Sequence, residues 1–541
     1  MRIVSVLSAA LCLLSALSVQ AGVHPNTPRR MNPPRRMNVV LIVCDDLNDY
    51  ITGIPGKSGH SQARTPNVEK LAQSGVAFRR AYSNNPVCAP SRSSFLTGIY
   101  CHTSGNLFWS KWFENPVLKN SRSLMAHFKA NGYRVEGSGK LMHHHRKSDW
   151  TSFAHQADYG PFAYDGKART AHPSVPKPFF DIGPVDGSYG SLADVPYADS
   201  DHPHAGWIYG KWMPKGKPPR VMHYNSPTDR SPTPDEKNAA WTVSRLQHYA
   251  KAGRDKPFFL GVGFIRPHTP LHVPQKYFDM FPIDDVRLGT IKADDADDCH
   301  FAEVLTEDSK GLRYFRELRK SYAEQDAGLR AFTQAYLASV AAVDECIGQV
   351  VDAVDKSPFR DNTIIVLTSD HGWQMGQKDF LFKNSPWEEG TRIPFVVRAP
   401  GIAKAGEVAE HPISLIDLYP TLVDLCGLPK GTRKNEQGAP LDGHSVRPFL
   451  EDPKDGAWDG PEGALSMIYG GRSPQKFSKE ELKELKNQNW AYRTKRWRYI
   501  RYNNGTEELY DHDSDPREWK NLADAPEHAG VKASLKRKML K

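Results

Sequence analysis

Continuous apolar runs, rather than alternating ones, predict the strands of this chain. Residues 38–44, 258–262 and 363–367 are each of strand length and almost wholly apolar. Strands of a parallel sheet have this pattern because both of their faces are covered. We therefore predict a buried and mostly parallel sheet.

Helical spacing separates these strands. Residues 335–354 place Tyr336, Val340, Val343, Ile347, Val350 and Val351 on one face, and Thr65-Pro66 opens a shorter helix that Gly75 closes. Strands that alternate with helices are typical of an α/β fold.

Two stretches depart from this pattern. Residues 149–234 are rich in Gly, Pro, Asp, His and aromatic residues without a sustained period, which predicts long loops over the sheet edge that set specificity. Residues 490–502 alternate basic and aromatic side chains before the turn signal at 503–506 and an extended run at 507–510, which indicates a hairpin. We predict a catalytic α/β domain at 38–445 and a small antiparallel subdomain at 446–541.

Charged and polar residues follow the predicted strands. Asp45-Asp46, Asp370 and His268 stand where three strands end. Ligands of open α/β sheets bind beyond the carboxyl ends of the strands, and carboxylates gathered there need a compensating cation. Oxygen ligands favour Ca²⁺, with Mg²⁺ as a second possibility. Each aspartate taken alone is also compatible with a turn or helix cap.

The string Cys88-Ala89-Pro90-Ser91-Arg92, continued by residues 93–98, combines a modifiable side chain, a helix start and a cation. Pro90 suits the first turn of a helix that Gly98 ends. Residue 88 then lies at a helix N-terminus, where an anion such as sulfate or phosphate is favoured. A lone cysteine before a proline is otherwise most often a small buried apolar residue.

This string resembles the signature of the type I sulfatases, in which the cysteine is oxidised to formylglycine by a maturation enzyme. A second matching stretch is 388–394 with Pro400-Gly401, and the resemblance runs from about residue 38 to 520. Asp370-His371 and the Lys140-Leu141-Met142-His143 spacing resemble the iduronate sulfatase-like branch. The resemblance implies an alkaline phosphatase-like sandwich with a large, mostly parallel central sheet and a smaller C-terminal antiparallel sheet.

The resemblance also implies roles for individual residues. The metal ligands are Asp45, Asp46, the side chain at Cys88, Asp370 and His371, and the groups that hold sulfate together with the metal are Arg92, Lys140 and Lys383. One hydroxyl of the formylglycine hydrate attacks sulfur and His268 protonates the leaving alcohol. His143 helps the other hydroxyl to expel sulfate; its choice over His144 and His145 depends on the resemblance alone.

Length, net charge and cysteine count limit the classes of function that are compatible with this chain. The 541 residues suggest a large domain with a smaller one, and the net charge is +9. Ten basic residues lie before residue 38 or after residue 530, and without them 61 basic residues face 62 acidic ones. The body is nearly neutral, so nothing favours a nucleic-acid partner. Cys12 and Cys88 apart, five of the seven cysteines remain, an odd number that argues against a full disulfide framework.

The N-terminus predicts export. Residues 1–21 have Arg2, an apolar run and a small-residue cleavage site, as in a secretory signal peptide, and 22–37 has the composition of a flexible basic linker. No later stretch is apolar enough to span a membrane. The mature protein is therefore expected to be secreted or periplasmic.

The expected activity is release of sulfate from a sulfated mono-, oligo- or polysaccharide. Aromatic and histidine side chains of the loop-rich segment could stack on sugar rings or belong to the core; they are Trp207, Trp212, Tyr209, His202 and His204. Two alternatives stay open: a phosphonate or phosphodiester hydrolase of the same superfamily, and a carbohydrate-binding protein without turnover if Cys88 is never oxidised.

Overall fold

The computed structural model describes residues 36–54, 59–107, 109–198, 205–210, 218–252, 256–305, 309–470 and 488–539. From Arg36 onward the chain belongs to one compact unit. The predicted signal peptide (1–21) and nearly all of the predicted linker (22–37) lie outside the described residues. The domain boundary near residue 445 stays a prediction.

The strands are numbered in chain order, and their bounds are β1 Asn38–Asp45, β2 Val76–Phe78, β3 Ala81–Tyr82, β4 Arg134–Gly139, β5 Ser152–Gln156, β6 Phe162–Tyr164, β7 Arg169–Thr170, β8 Tyr189–Ser191, β9 Gly206–Ile208, β10 Phe258–Pro267, β11 Leu271–Val273, β12 Thr363–Ser369, β13 Phe395–Arg398, β14 Glu407–Ala409, β15 Ile413–Ser414, β16 Ala464–Ile468, β17 Asn489–Arg493, β18 Trp497–Arg501 and β19 Glu507–Asp511.

The α-helices are α1 Pro66–Gln73, α2 Cys88–Phe95, α3 Cys101–Ser104, α4 Leu124–Ala130, α5 Pro234–Ala252, α6 Gln275–Phe278, α7 Phe301–Val304, α8 Lys310–Lys320, α9 Gln325–Asp355, α10 Glu388–Thr391, α11 Leu418–Leu425, α12 Arg447–Glu451 and α13 Ala529–Met539. Short 3₁₀ helices connect some of them, at Trp112–Glu114, Leu118–Asn120, Lys147–Asp149, Phe179–Ile182, Ile283–Asp285, Arg360–Asn362, Gln377–Asp379, Leu415–Asp417 and Pro526–His528.

The central sheet has the strand order β14-β2-β13-β12-β1-β10-β4-β5. Strand β13 runs antiparallel to both of its neighbours, and the other adjacent pairs are parallel. The predicted large, mostly parallel sheet is therefore confirmed. In the middle of it, β1 lies between β10 and β12, so that the carboxyl ends of all three strands meet at one edge.

Side chains of β1 alternate between two cores. Val40 and Ile42 pack with residues of α1, α5 and α9 on one face, while Val39 and Leu41 pack with residues of α4 and α11 on the other. Successive side chains of a strand point to opposite faces, and helices cover both faces here. This two-sided cover is why the strand sequence is continuously apolar.

The loop prediction for 149–234 is partly wrong. Strand β5 extends the central sheet, and β6 pairs with β7 and β9 in a separate small sheet. Strands of two to five residues are too short to show a sustained period, which explains the error. Trp207 and Tyr209 belong to the core at 2% and 4% exposure, so they do not face solvent. Trp212, His202 and His204 lie outside the described residues.

The C-terminal segment forms the predicted small antiparallel sheet, with the order β16-β17-β18-β19. The run predicted at 490–502 is interrupted at 494–496, so β17 and β18 form one hairpin, and β18 and β19 form the predicted one. Helix α9 begins at Gln325, ten residues before the predicted start.

Two further expectations concern the described part of the chain alone. Its cysteines are all free thiols, in agreement with the odd count. None of its helices has both the length and the apolar character that crossing a bilayer requires.

Candidate active site

Parallel pairing of β1 with β12 brings the predicted carboxylates together. The backbone N–H of Asp46 donates a hydrogen bond to Asp370 Oδ1 at 3.2 Å. Asp46 has a left-handed backbone (φ +64°), which aspartate tolerates better than most residues. The Tyr336 hydroxyl, from α9, donates to the Asp46 carbonyl at 2.7 Å and accepts from Asn48 N at 3.1 Å. The turn after β1 is thus fixed by a side chain from a distant helix.

Cys88 is the first residue of α2 and is 1% exposed. Hydroxyl groups of Ser83 and Ser91 donate to the Asp370 carbonyl at 2.6 and 2.7 Å and so hold the start of this helix against the end of β12. The Cys88 Sγ lies 3.3 Å from His371 Nε2 and 3.9 Å from Asp46 Oδ1. The cysteine therefore faces the acidic strand ends.

Arg92 lies one helical turn after Cys88 and is fully buried. Its Nε donates to Asp370 Oδ2 at 2.8 Å, and Nη2 donates to Asp45 Oδ1 at 3.3 Å. Nη1 donates to the carbonyls of Lys140 and Leu141. The guanidinium group thus ties α2 to the ends of β1, β12 and β4.

Two lysines approach from other segments. Lys140 Nζ pairs with Asp45 Oδ2, while Lys383 Nζ lies 2.9 Å from Asp46 Oδ1 and 3.1 Å from Cys88 Sγ. Lys140 follows Gly139, where a Cβ atom would overlap the carbonyl oxygen of β10 opposite. Close approach of β4 to β10 therefore requires glycine and places the lysine.

The donor set fits a hard divalent cation. One ligand atom from each of Asp45, Cys88, Asp370 and His371 lies within 4.8 Å of the others, and all four residues are buried. Burial raises the pKa of Asp46 well above its usual range and outweighs the Lys383 ammonium beside it, so a further cation would favour the ionised carboxylate. Three buried carboxylates converge there, and carboxylate oxygens are ligands that Ca²⁺ and Mg²⁺ prefer.

At Asp45, in contrast to Asp46, nearby cations outweigh the effect of burial on the pKa. Burial alone would raise the pKa of Asp45, but Lys140, His268 and Arg92 hold it well below its ordinary value. The surroundings therefore favour the ionised form at Asp45 and disfavour it at Asp46.

His268 lies just beyond β10 with Nε2 at 3.8 Å from Asp46 Oδ2. Its Nδ1 is 2.5 Å from the Thr269 carbonyl, which assigns the proton to Nδ1 and leaves Nε2 free to face the acidic residues. Burial and the Lys383 ammonium lower the pKa of His268 well below its usual value. The His268 side chain is 9% exposed, whereas those of Asp45, Asp46 and Asp370 are fully buried.

His143 is half-buried near Lys140. Burial and then Lys140 lower its pKa well below the ordinary range, and its Nδ1 has no hydrogen-bond partner among the described residues. Trp109 contacts its ring edge to face at 4.4 Å. His144 and His145 are also half-buried; the Trp112 indole donates to the His144 carbonyl, and the His145 ring packs on Phe153.

The structure thus places all the predicted site residues at one edge of the sheet, with His143 on the periphery. It adds three side chains that sequence reasoning missed. Tyr159 has its ring 4.7 Å from Lys140 Nζ and 4.9 Å from the His268 ring, and Asp186 accepts from Thr269 Oγ1 at 2.8 Å. Tyr336, the third, was assigned to the apolar face of its helix. The polar hydroxyl of Tyr336 on an otherwise apolar helix face was a signal that could have identified it. Tyr159 and Asp186 lie in the loop-rich segment, whose sequence has no pattern that could have identified them.

The Cys88 thiol itself is a weak nucleophile here. Burial, and next the Asp45 carboxylate, raise its pKa above the ordinary value in spite of Lys140 and Lys383. A thiolate is the reactive form of cysteine. The surroundings of Cys88 therefore disfavour the reactive, ionised form of its thiol.

Two family models together match most of this chain, and so do several known proteins. A family model described as "Sulfatase" matches residues 37–428, and one described as "N-sulphoglucosamine sulphohydrolase, C-terminal" matches residues 370–541. A sulfatase of Formosa agariphila is 30% identical over 90% of this chain and 83% of its own length. Iduronate 2-sulfatase of Mus musculus is 27% identical, with 92% and 93% covered.

Among solved structures, a phosphonate monoester hydrolase of Agrobacterium radiobacter superposes with a TM-score of 0.61 at 22% identity, covering 93% of this chain and 95% of its own. At that identity the match shows the fold alone. It confirms the alkaline phosphatase-like architecture expected from the sequence.

Proposed function

Because the chain belongs to the sulfatase family and is a sulfuric ester hydrolase, we propose that it cleaves sulfate esters of a carbohydrate with a formylglycine made from Cys88. The observation that carries this proposal is the position of Cys88. Its side chain lies within 4 Å of Asp46, His371 and Lys383, at the point where two strands end. A formylglycine at that position supplies a hydrated aldehyde as the nucleophile.

Charge supports sulfate as the group that is bound. Arg92, Lys140 and Lys383 are cations at 6% side-chain exposure or less, and all three surround the position of Cys88. Preorganised positive charge in a site with little water stabilises an anion more than the same charge does in solution. A Ca²⁺ ion would be held by Asp45, Asp46, the side chain at residue 88, Asp370 and His371, and it would supply further positive charge as a Lewis acid.

His268 is proposed to give a proton to the leaving alcohol. Its Nε2 faces the site, and the negative charge of a bound substrate would counteract the lowered pKa of His268 and favour the imidazolium form that donates this proton. His143 is proposed as the base that serves the side chain at residue 88 when sulfate departs. Its unpaired buried Nδ1 is compatible with accepting a proton.

The substrate class comes from the relatives. The name of the mouse relative, iduronate 2-sulfatase, describes action on a sugar acid. We extend this class, a sulfated carbohydrate, to the present chain. Export through the N-terminal segment and oxidation of Cys88 by a maturation enzyme belong to the same proposal.

The test is sulfate release from a panel of sulfated mono- and oligosaccharides, run beside phosphate and phosphonate esters, with Cys88→Ala as the control. We expect turnover of at least one sulfated sugar by the parent and none by the variant. Mass spectrometry of the peptide that contains residue 88 should show formylglycine. An unmodified thiol in active protein, or a large preference for phosphorus esters, would refute the proposal.

A further inference from the structure

A cavity of about 420 Å³ lies beside β5, the edge strand of the central sheet. Its walls come from β5, from the residues before that strand and from the first turn of α5. The volume lies within the range of about 300–1,000 Å³ that is usual for small-molecule sites. None of the residues assigned above to catalysis lines it.

The cavity lining carries an excess of positive charge. Lys147, Arg220 and Lys237 line it, and Asp158 is the one acidic residue among the lining side chains that the structure describes. Asp158 Oδ1 already accepts hydrogen bonds from the backbone N–H groups of Gly160 at 3.0 Å and Gly210 at 2.6 Å. The lining thus favours an anion.

Two of these cations have no counter-charge of their own. Lys237 Nζ lies 3.3 Å from the centre of the Tyr209 ring, and the Arg220 guanidinium lies 4.9 Å from the same centre. Within the described ranges, neither side chain makes an ion pair. Burial and then Arg220 lower the pKa of Lys237 to about 8, and the Asp158 carboxylate offsets them only in part.

An aromatic surface forms another part of the lining. The His145 and Phe153 rings lie 4.3 Å apart, and Trp150 packs against Phe153 at 4.8 Å. Binding sites commonly combine an aromatic wall with a few fixed polar groups. The wall suits the apolar face of a sugar ring, and the cations suit an anionic substituent on that ring.

The cavity adjoins the active site. Gln156, which lines it, is paired in register with Gly139, the residue before Lys140. Neighbouring strands are about 4.8 Å apart and consecutive Cα atoms 3.8 Å, so this wall begins within about 10 Å of the Lys140 Cα. Asp158 precedes Tyr159, whose ring contacts both Lys140 and His268. Tyr159 thus links the cavity lining to the active-site residues Lys140 and His268.

We propose that this cavity binds a second anionic group, a carboxylate or a sulfate, on the sugar adjacent to the one whose ester is cleaved. The inference rests on the proposed function, since it assumes a sulfated carbohydrate at the active site. The enzyme then selects polyanionic oligosaccharides over those with a single sulfate.

A kinetic experiment uses three disaccharides that share one sulfated hexosamine. The neighbouring sugar is a uronate in the first, the reduced neutral sugar in the second, and a neutral sugar with its own sulfate in the third. We expect kcat/KM to be at least about 10-fold higher for the first or the third than for the second. The better of the two identifies the anion as carboxylate or sulfate.

Lys237→Met and Arg220→Met should each lower that ratio about 10-fold, mainly through KM. The matched control is Lys404→Met, which removes an exposed cation next to β14, at the opposite edge of the central sheet. It should leave the ratio as in the parent. Equal ratios in the parent and both cavity variants would overturn the proposal.

A binding experiment separates this inference from the proposed function. Calorimetry on Cys88→Ala measures the dissociation constants of the same three disaccharides without turnover. We expect the doubly anionic ligands to bind at least about 10-fold more tightly than the neutral one, and added salt to reduce this difference. If no disaccharide is cleaved, the proposed function fails while this measurement still decides on the cavity. Equal affinities for all three would refute the cavity site.

Discussion

Lys383→Met removes the ammonium group that lies between Asp46 and Cys88 while it keeps most of the side-chain volume. In the structure, Lys383 Nζ is 2.9 Å from Asp46 Oδ1 and 3.1 Å from Cys88 Sγ. Although burial favours the neutral amine, Asp46 raises the pKa of Lys383 well above its usual value. The group is therefore a permanent cation at working pH, and methionine removes one full charge.

The size of the effect follows from the position of this charge. At an effective dielectric constant of about 20, two unit charges about 4 Å apart interact with about 4 kcal/mol. Loss of one preorganised donor at a reacting anion costs about 2.7–4 kcal/mol, or about 10²- to 10³-fold in rate. We expect kcat/KM of Lys383→Met to fall by that factor, with kcat carrying most of the loss if the charge acts chiefly in the transition state.

The assay is sulfate release by purified proteins in which the formylglycine fraction at residue 88 has been measured by mass spectrometry. This measurement distinguishes a loss of activity caused by incomplete formylglycine formation from one caused by slower catalysis. Lys404→Met serves as the control, since its ammonium is exposed and pairs with Asp452 at 3.5 Å. A loss below 10-fold in folded, fully matured Lys383→Met would show that Lys383 only balances the charge of Asp46.

Three further predictions concern the metal and stability. A chelator should lower the midpoint of thermal unfolding, because metal at 100 times its Kd adds about 2.7 kcal/mol to the free energy of unfolding. Asp370→Asn should abolish this response. A midpoint in the parent that does not change with chelator would contradict the metal site. Arg498, 1% exposed, donates to Glu388 and Glu518 and to the Pro386 carbonyl at 2.8 Å. Arg498→Met should cost about 3–5 kcal/mol in urea unfolding, since two carboxylates stay buried; a cost under 1 kcal/mol would argue against a tightly coupled network. Burial alone would raise the pKa of Glu518, but Arg498 and His512 lower it to about 2. The ionised Glu518 therefore stabilises the folded protein above about pH 4.3, and this stabilisation is lost as the pH falls toward about 2. Denaturant titrations from pH 6 to 3 should show a shallower loss for Glu518→Gln than for the parent, and parallel curves would exclude this assignment.

The local properties of the chain were open to prediction from sequence. Apolar runs identified β1, β10 and β12, because a strand that is covered on both faces has no polar position to interrupt it. Their parallel pairing then carried Asp45, Asp46 and Asp370 to the same edge. Pro90, which suits the first turn of a helix, and Gly98, which suits its end, placed residue 88 at a helix start.

Other features were beyond pattern analysis. The strands between 149 and 234 are too short to show a period, and the burial of Trp207 depends on its neighbours in a separate small sheet. Lys383 was matched by resemblance alone. Its contact with Asp46 joins residues 337 positions apart, and no local signal records such a meeting.

What the sequence determined by itself was therefore the sheet, the reactive segment and the acidic ends of its strands, because periodicity and helix starts are properties of neighbouring residues. The tertiary structure alone decided the hydrogen bond from Tyr336 to the Asp46 carbonyl, the hydrogen bond from Thr269 to Asp186, and the cationic cavity beside β5. Each of these depends on the path of long connections in space. Side chains that such paths bring together are far apart in the chain and follow no spacing.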